Sequence, residues 1–279
     1  MKANLLIVEG NPPIANARVM EHGARPYGPA YADVLRALEP ELQFTIVEPC
    51  VQGPDCLPEG VALSDFDGVA WTGSALNVYE DDPMITSQLR LADKVFEAGL
   101  PVFGSCWGLQ LCTTALGGKV WLNPKGREIG VAENITLTEA GAAHPMLAGR
   151  PKVFSALAAH RDEVEELPPG GVVLASNPMS DVQAMTLEQG GVDFWGAQYH
   201  PELDHVTVAA IIQRTGESLV REGIFPDRAS WEAAAELLPT LDDPNAVPPP
   251  GPYAAPEIRT VTARGLELAN WLRAKVLRG

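Results

Sequence analysis

The sequence is poor in cysteine. Its 279 residues include four, and none of them forms a Cys-x-x-Cys pair or a His/Cys cluster with zinc-ligand spacing. This scarcity argues against a disulfide scaffold and a structural zinc site. Cys50 and Cys56 share one loop and could pair, but we expect free thiols, as in a reducing cytosol. No metal or other cofactor is predicted.

Basic residues and long hydrophobic runs are also scarce. The chain has 20 Lys and Arg against 36 Asp and Glu, so its formal net charge is -16 and a phosphate backbone would be repelled. The run Leu5 to Val8 is too short for a signal peptide or a membrane span. We therefore expect a cytoplasmic protein with neither a nucleic acid nor a membrane as partner. A hydrophobic fraction of 46% is enough for a sizeable core.

One stretch has the pattern of a strand, a tight turn and a helix. The apolar run Leu100–Phe103 ends at Gly104, Cys106 follows, and after Gly108 a helical pattern continues to Leu116. A turn of this kind lifts a nucleophile clear of its neighbours, and the flanking glycines favour a sharp bend. The sequence therefore predicts Cys106 as a nucleophile.

The chemistry of the turn supports this prediction. A thiol at a helix N-terminus is favoured as the reactive thiolate by the free N–H groups and the helix dipole. The N–H of Trp107 would face an oxyanion formed at the sulfur. The alternative is that a lone cysteine is a small buried apolar residue. We interpret Cys112, on the same helix, in that way.

A second motif lies far away in the sequence. Residues Val192 to Tyr199 have the pattern of a strand, and His200, Pro201 and Glu202 follow directly. The proline stiffens the segment and so fixes the imidazole relative to the carboxylate. A cysteine nucleophile needs a base, and the base needs a group that orients it. His200 and Glu202 can supply both functions.

Together these motifs resemble the class I glutamine amidotransferase domain. The resemblance rests on Gly-Ser-Cys-Trp-Gly-Leu-Gln, from Gly104, and on Gln-Tyr-His-Pro-Glu, from Gln198, and it covers about residues 1 to 220. His160-Arg161-Asp162 resembles the lone-domain, GMP-synthase-like branch. Trp71-Thr72-Gly73-Ser74 corresponds to the oxyanion loop, although Thr72 stands where many members have a second glycine.

The resemblance implies a Cys-His-Glu triad and a substrate pocket around it. It makes Cys106 the nucleophile, His200 the base and acid, and Glu202 the orienting carboxylate. The remaining implied positions are the oxyanion-hole N–H groups of Gly73 and Trp107 and the substrate-binding residues Gln110 and Ser74. Tyr27 and Tyr79 are candidates for the pocket entrance.

Strands alternate with helices along the chain, which predicts an α/β fold with a mostly parallel central sheet flanked by helices. The resemblance makes this fold flavodoxin-like, and the residue pattern beyond the resemblance predicts a C-terminal helical extension. The predicted strands are Asn4 to Glu9, Gln43 to Val47, Ser64 to Trp71 and Leu100 to Gly104. The predicted helices are Pro29 to Leu38, Pro83 to Ala98 and Val206 to Val220. Residues 128–188 form a β-rich insertion with shorter strands.

We expect two units, a class I glutamine amidotransferase-like domain at 1–222 and an extension at 223–279. The segment 226–256, which includes Pro244, is predicted as a proline-rich arm or linker with a short helix near Trp231 to Leu238. Residues 257–277 are predicted as an amphipathic helix, with Arg278 near its end. The helix side chains expected to face inward are Val261, Leu268, Trp271, Leu272 and Val276. We favour packing on its own domain over a contact with a partner or a second copy of the chain.

The leading hypothesis is a glutaminase that forms a γ-glutamyl thioester and passes ammonia to a separate synthetase or acceptor subunit. One alternative is a stand-alone γ-glutamyl amide hydrolase or transferase, and another is a non-catalytic scaffold. The DJ-like group shares the turn but lacks the His-Pro-Glu segment. Among the other histidines, His144 is predicted in a turn and His22 and His205 at the surface. His160 is assigned either to the pocket or to a structural hydrogen bond.

Overall fold

The computed structural model describes residues 2–243 and 245–277, so Pro244 and Arg278 lie outside the described residues. Within these residues the chain forms eleven strands and ten α-helices. The strands are β1 Asn4–Val8, β2 Gln43–Val47, β3 Gly68–Trp71, β4 Val102–Ser105, β5 Lys119–Leu122, β6 Glu128–Leu137, β7 Val153–His160, β8 Asp162–Glu166, β9 Val172–Ser176, β10 Ala184–Leu187 and β11 Phe194–Ala197. The helices are α1 Pro13–Met20, α2 Tyr27–Leu38, α3 Pro49–Gln52, α4 Pro83–Glu97, α5 Trp107–Ala115, α6 Glu139–Ala143, α7 His205–Arg221, α8 Arg228–Leu237, α9 Val261–Arg264 and α10 Leu266–Trp271.

Nine of the described strands form one sheet in the order β2-β1-β3-β4-β11-β10-β9-β6-β7. The first five strands are parallel, and each pairing from β11 to β7 is antiparallel. The strands β5 and β8 form a separate antiparallel pair. The predicted α/β fold with flanking helices is confirmed. The β-rich part extends the same sheet, and its strand β6 is ten residues long rather than short.

Four of the five parallel strands, β1, β3, β4 and β11, are buried on both faces, and the edge strand β2 is partly exposed. In β1, Leu5 and Ile7 belong to a core with α2 and the C-terminal segment, whereas Leu6 and Val8 belong to a core with α4 and α5. Side chains alternate between the faces of a strand, so β1 contributes to both cores. A third core joins α1, α7 and α8. The carboxyl ends of β1, β3, β4 and β11 therefore meet at one edge between these layers.

Two helices that frame this edge begin at aspartate caps. Asp82 accepts a hydrogen bond from the N–H of Met84 at 2.7 Å, with Pro83 in the first turn, and Asp204 accepts from the N–H of Thr207 at 2.7 Å. Each carboxylate satisfies an N–H that the helix leaves free. The helix α7 therefore starts immediately after the His-Pro-Glu segment.

The C-terminal segment is helical but not continuous, so the prediction of one helix over 257–277 is wrong. A 3₁₀ turn at Pro256–Ile258 precedes α9, Gly265 separates α9 from α10, and α10 ends in a π-helical turn at Leu272–Val276. A Cβ at Gly265 would lie 3.0 Å from Leu38 Cδ1, so this position packs tightly on α2. Four of the predicted apolar residues join the core that contains β1 and β4: Leu268, Trp271, Leu272 and Val276.

Other sequence predictions need correction. The helix α1 was not predicted, because Pro12 and Pro13 favour a loop although Pro13 occupies the tolerated first position of the helix. The strand β3 begins at Gly68, since residues 63–65 form a 3₁₀ turn. His205 is buried and paired with Asp242 at 2.8 Å, so its assignment to the surface was wrong.

The four cysteines are free, as expected, and Cys112 is completely buried. No helix within residues 2–243 and 245–277 is both long enough and apolar enough to cross a membrane.

Candidate active site

The turn between β4 and α5 places strain on its cysteine. Cys106 has φ 50° and ψ -98°, a conformation that side chains with a Cβ rarely adopt. The two glycines have a different function from the predicted one, because neither has a positive φ. A Cβ at Gly104 would lie 2.5 Å from the carbonyl carbon of Gly108, and one at Gly108 would lie 2.6 Å from the Trp71 oxygen. The glycines allow close packing, and the cysteine makes the bend.

Cys106 is anchored on both sides of the turn. Its N–H donates to the Ala197 oxygen of β11 at 2.7 Å, and its carbonyl oxygen accepts from Gln110 N–H at 3.0 Å. The next residue, Trp107, is the first of α5, so its N–H has no partner within the helix. The buried indole of Trp107 donates to Gln88 Oε1 at 2.8 Å. These hydrogen bonds hold the backbone of the turn in place.

His200 and Glu202 form a buried pair beside this turn. His200 Nδ1 lies 2.7 Å from Glu202 Oε1, and both side chains are under 5% exposed. The His200 N–H donates to the Leu157 oxygen at 2.8 Å, which fixes the segment to β7. Burial lowers the pKa of His200, but the charges of Glu202 and Cys106 outweigh it and raise the pKa to about 10. The imidazolium form is therefore favoured next to the Cys106 sulfur.

Four of the predicted site residues line one cavity of about 270 Å³, whereas Gly73, Trp107 and Glu202 are not in its lining. Its lining includes Cys106, His200, Gln110 and Ser74, while Glu202 lies behind the imidazole. Gln110 Nε2 donates to the main-chain oxygen of Asp162 and to Gln198 Oε1, each at 3.1 Å. Ser74 Oγ accepts from the N–H of Leu76 at 3.2 Å.

The loop after β3 lies against the imidazole. A Cβ at Gly73 would lie 2.8 Å from His200 Cε1 and 3.5 Å from Tyr27 Cε2, so only glycine fits there. The Thr72 hydroxyl accepts from the N–H of Gly10 at 2.8 Å and donates to the Gly73 oxygen at 2.9 Å. Thr72 therefore fixes the orientation of the Gly73 peptide.

Glu9, which was not predicted as a site residue, supports this loop from behind. Its buried carboxylate accepts from the N–H groups of Asn11 at 3.0 Å and Gly28 at 2.6 Å. Burial raises the pKa of Glu9, and these hydrogen bonds oppose that effect. Asn11 in turn accepts from the N–H of Ala75 at 3.0 Å. A carboxylate directly after a buried strand was the available signal.

The two tyrosines lie at different distances from the cavity. Tyr27 lines it, whereas Tyr79 reaches it through Asp162, because the Tyr79 hydroxyl donates to Asp162 Oδ1 at 3.1 Å. His160 also lines the cavity, and its Nε2 lies 2.9 Å from Glu128 Oε2. Arg214, which was not a candidate, lines the cavity from α7. Among the described residues, no group of three or more His, Cys, Asp or Glu side chains could hold a metal ion.

Comparison with known proteins identifies the family. The class I glutamine amidotransferase family matches residues 42–215, so the chain belongs to that family. A γ-glutamyl-L-1-hydroxyisopropylamide hydrolase from a Pseudomonas species is 31% identical over 97% of this chain and 92% of its own length. The glutamine-hydrolysing GMP synthase of Thermomicrobium roseum is 36% identical over 53% of this chain, which spans 25% of that synthase.

Solved structures agree on the fold. A glutamine amidotransferase from Thermotoga maritima superimposes with a TM-score of 0.66 over 98% of both chains at 18% identity. A glutamine amidotransferase from Methylobacillus flagellatus gives a TM-score of 0.57 over 97% of this chain and 91% of its own, at 19% identity. The C-terminal helices are thus part of an α/β architecture shared over nearly the whole length of these chains.

Proposed function

We propose that this chain hydrolyses γ-glutamyl amides through a cysteine-bound thioester, with Cys106, His200 and Glu202 as the triad. The observation that carries the proposal is the buried imidazole of His200, oriented by Glu202 at 2.7 Å and interacting electrostatically with the thiol of the strained turn. The Pseudomonas relative, aligned along nearly the whole chain, is named as a hydrolase of one such amide. This supports an amide larger than glutamine as the substrate.

In the first half of the reaction the Cys106 thiolate attacks the γ-carbonyl carbon of the substrate. The carbonyl electrons move to the oxygen, and the N–H groups of Gly73 and Trp107 stabilise the oxyanion. The C–N bond then breaks as the His200 imidazolium gives its proton to the departing nitrogen. A free amine leaves, and a γ-glutamyl thioester remains on Cys106.

In the second half water replaces the amine. Neutral His200 takes a proton from water, the resulting hydroxide attacks the thioester, and the C–S bond breaks to release glutamate and the Cys106 thiolate. Glu202 keeps the imidazole oriented and balances its charge in both halves. Gln110 and Ser74, which line the cavity, are proposed to contact the glutamyl group.

A second candidate is hydrolysis of glutamine itself, with the ammonia passed to a separate synthetase. The identity to about a quarter of the length of the GMP synthases favours this candidate, since the present chain matches 25% of the Thermomicrobium enzyme. The two candidates differ in the leaving amine and in the need for a partner.

The test is release of amine or ammonia by the purified chain from glutamine, γ-glutamyl methylamide and γ-glutamyl ethylamide. We expect cleavage of the alkylamides without a partner, and a loss of at least about 10⁴-fold in Cys106→Ala. The matched control is Cys112→Ala, which removes a buried thiol of the same region. Activity retained in Cys106→Ala would refute the proposal. Ammonia release from glutamine that requires a synthetase would favour the second candidate.

A further inference from the structure

The cavity concentrates positive charge in an acidic protein. Arg127, Arg161 and Arg214 line it, although the chain has a net charge of -16. Among its lining residues Asp162 has the one carboxylate, and that carboxylate already accepts a hydrogen bond from Tyr79. A cavity with this balance attracts an anionic ligand.

The arginines differ in how their charges are neutralised. Arg127 is paired with Glu222, with Nε–Oε2 at 2.9 Å and Nη2–Oε1 at 3.2 Å. For Arg214, no carboxylate of the described residues lies within ion-pair distance, and its buried Nε has no hydrogen-bond acceptor. A buried donor without an acceptor is costly, so such groups are rare unless a ligand or water completes them. Arg214 thus lines the cavity as a cation with no carboxylate partner among the described residues.

The position of Arg214 indicates which part of a substrate it would reach. Ile211, Arg214 and Thr215 line the cavity from one face of α7, as their spacing of three and four residues requires. Tyr27 and Arg214 line the same cavity, and the positive charge of Arg214 opposes the rise in the pKa of the Tyr27 hydroxyl that burial causes. A Cβ at Gly73 would lie close to both the Tyr27 ring and the His200 ring, so both rings lie beside Gly73. Arg214 therefore lies on the imidazole side of the cavity.

That side receives the leaving group, because His200 protonates the departing nitrogen in the proposed mechanism. Gln110 and Asp162 are hydrogen-bonded to each other on the turn-helix side, where the glutamyl group would lie. Building on the proposed function, we propose that Arg214 is a specificity-determining residue that binds a carboxylate on the amine half of the substrate. The preferred substrates are then γ-glutamyl amino acids rather than neutral γ-glutamyl alkylamides. The planar guanidinium suits a carboxylate because it can form two parallel hydrogen bonds.

The test compares two substrates that differ in charge but hardly in shape, γ-glutamylglycine and γ-glutamylglycinamide. We expect the parent protein to cleave the first with at least about tenfold higher kcat/KM. Arg214→Gln should lower kcat/KM for γ-glutamylglycine about 10- to 100-fold and for γ-glutamylglycinamide less than about threefold. Arg214→Lys should recover part of the preference. Arg221→Gln, which removes an exposed charge from the same helix, is the control and should change neither value.

The outcomes separate this inference from the proposed function. If Arg214→Gln lowers kcat/KM equally for both substrates, Arg214 acts on the shared glutamyl group or on folding, and the inference is wrong. Equal cleavage of both amides by the parent protein would also overturn it, while leaving γ-glutamyl hydrolysis intact. If the parent protein cleaves γ-glutamyl methylamide but neither glycine-derived amide, the inference is wrong and the proposed function stands. If it cleaves none of these amides, the proposed function fails first and the inference falls with it.

Discussion

Two buried imidazole–carboxylate pairs lie beside the same cavity, and they are arranged differently. His200 Nδ1 lies 2.7 Å from Glu202 Oε1, and His160 Nε2 lies 2.9 Å from Glu128 Oε2. Both imidazoles are almost completely buried, and both contribute to the cavity lining. By chemistry alone either pair could serve as a catalytic base with its orienting group.

The remaining polar atoms distinguish the pairs. The other nitrogen of His160, Nδ1, bonds to the main-chain oxygen of Asp162 at 3.1 Å. Glu128 also accepts hydrogen bonds from Asn177 at 2.7 Å and Gln183 at 2.6 Å. The second oxygen of Glu202, in contrast, has no hydrogen-bond partner among the described residues, and its imidazole interacts with the Cys106 thiol. An imidazole that is already bonded at both nitrogens cannot exchange protons with a substrate without breaking the network.

The His160–Glu128 pair, called the saturated pair because both imidazole nitrogens are hydrogen-bonded, connects strands of the sheet. Glu128 and His160 are register partners in β6 and β7, and Gln183 lies just before β10. Their network therefore ties together strands of the antiparallel half of the sheet. The His200–Glu202 pair, called the open pair because Glu202 Oε2 has no hydrogen-bond partner among the described residues, lies after β11 at the edge of the parallel half. The residue types of the two pairs are the same, so the histidines differ in their other partner, which is the main-chain oxygen of Asp162 for His160 and the Cys106 thiol for His200.

Removal of the His200 imidazole should cost much more activity than removal of the His160 imidazole. His200→Asn should lower kcat for γ-glutamyl amide cleavage about 10³-fold, because the proton donor and base are lost, while the unfolding midpoint changes little. His160→Asn should show the opposite pattern, a loss of about 2 kcal/mol in unfolding free energy with kcat within about tenfold of the parent. Steady-state kinetics and chemical denaturation of both variants give the two numbers. Comparable losses of kcat in both variants would contradict the distinction.

The sequence could predict the open pair but not the saturated one. Cys106 and the His200–Glu202 segment lie at strand ends with glycine and proline beside them, so local pattern was sufficient. Glu128 and His160 meet only through the register of two strands, which no single-sequence pattern specifies. The order of the sheet, the break at Gly265 and the burial of His205 likewise depend on contacts between distant segments.

Arg214 was missed for a related reason. Its helix was predicted from Val206 to Val220, but an arginine on an amphipathic helix ordinarily faces solvent. The direction of α7 over the sheet decides that the face with Ile211 and Thr215 borders the cavity. That direction depends on the packing of α7 against α1, α8 and the sheet.

A third buried carboxylate, that of Glu267, differs from these two because its partner is a permanent cation and not a histidine. Glu267 bonds to Arg150, with Nε–Oε1 at 2.7 Å and Nη2–Oε2 at 2.8 Å, and accepts from the Tyr199 hydroxyl at 2.9 Å. Tyr199 directly precedes His200, so the C-terminal segment supports the strand end that presents the imidazole.

Glu267→Gln should lower the unfolding free energy by about 3 kcal/mol, because Arg150 would keep a buried charge without its counter-ion. Chemical denaturation monitored by tryptophan fluorescence measures this, and Glu236→Gln at an exposed site is the control. A change no larger than that of the control would show that the C-terminal segment does not depend on this ion pair for its attachment.

The stability that the Glu128 carboxylate contributes should depend on pH. Burial raises the pKa of Glu128, but hydrogen bonds from His160, Asn177 and Gln183 and the charge of His160 outweigh it and hold the pKa below its ordinary 4.5. A carboxyl group with a lowered folded-state pKa stabilises the protein above its unfolded-state pKa, and this stabilisation is lost as pH falls through the folded-state pKa.

Glu128→Gln should therefore cost about 2 kcal/mol of unfolding free energy at pH 7, and the difference from the parent should shrink as pH falls below about 4.5. Glu133→Gln, on the exposed side of the same strand, measures the effect of removing a charge without buried partners. A difference that stays constant from pH 7 to pH 3 would mean that the loss reflects packing around residue 128 and not the charge of its carboxylate.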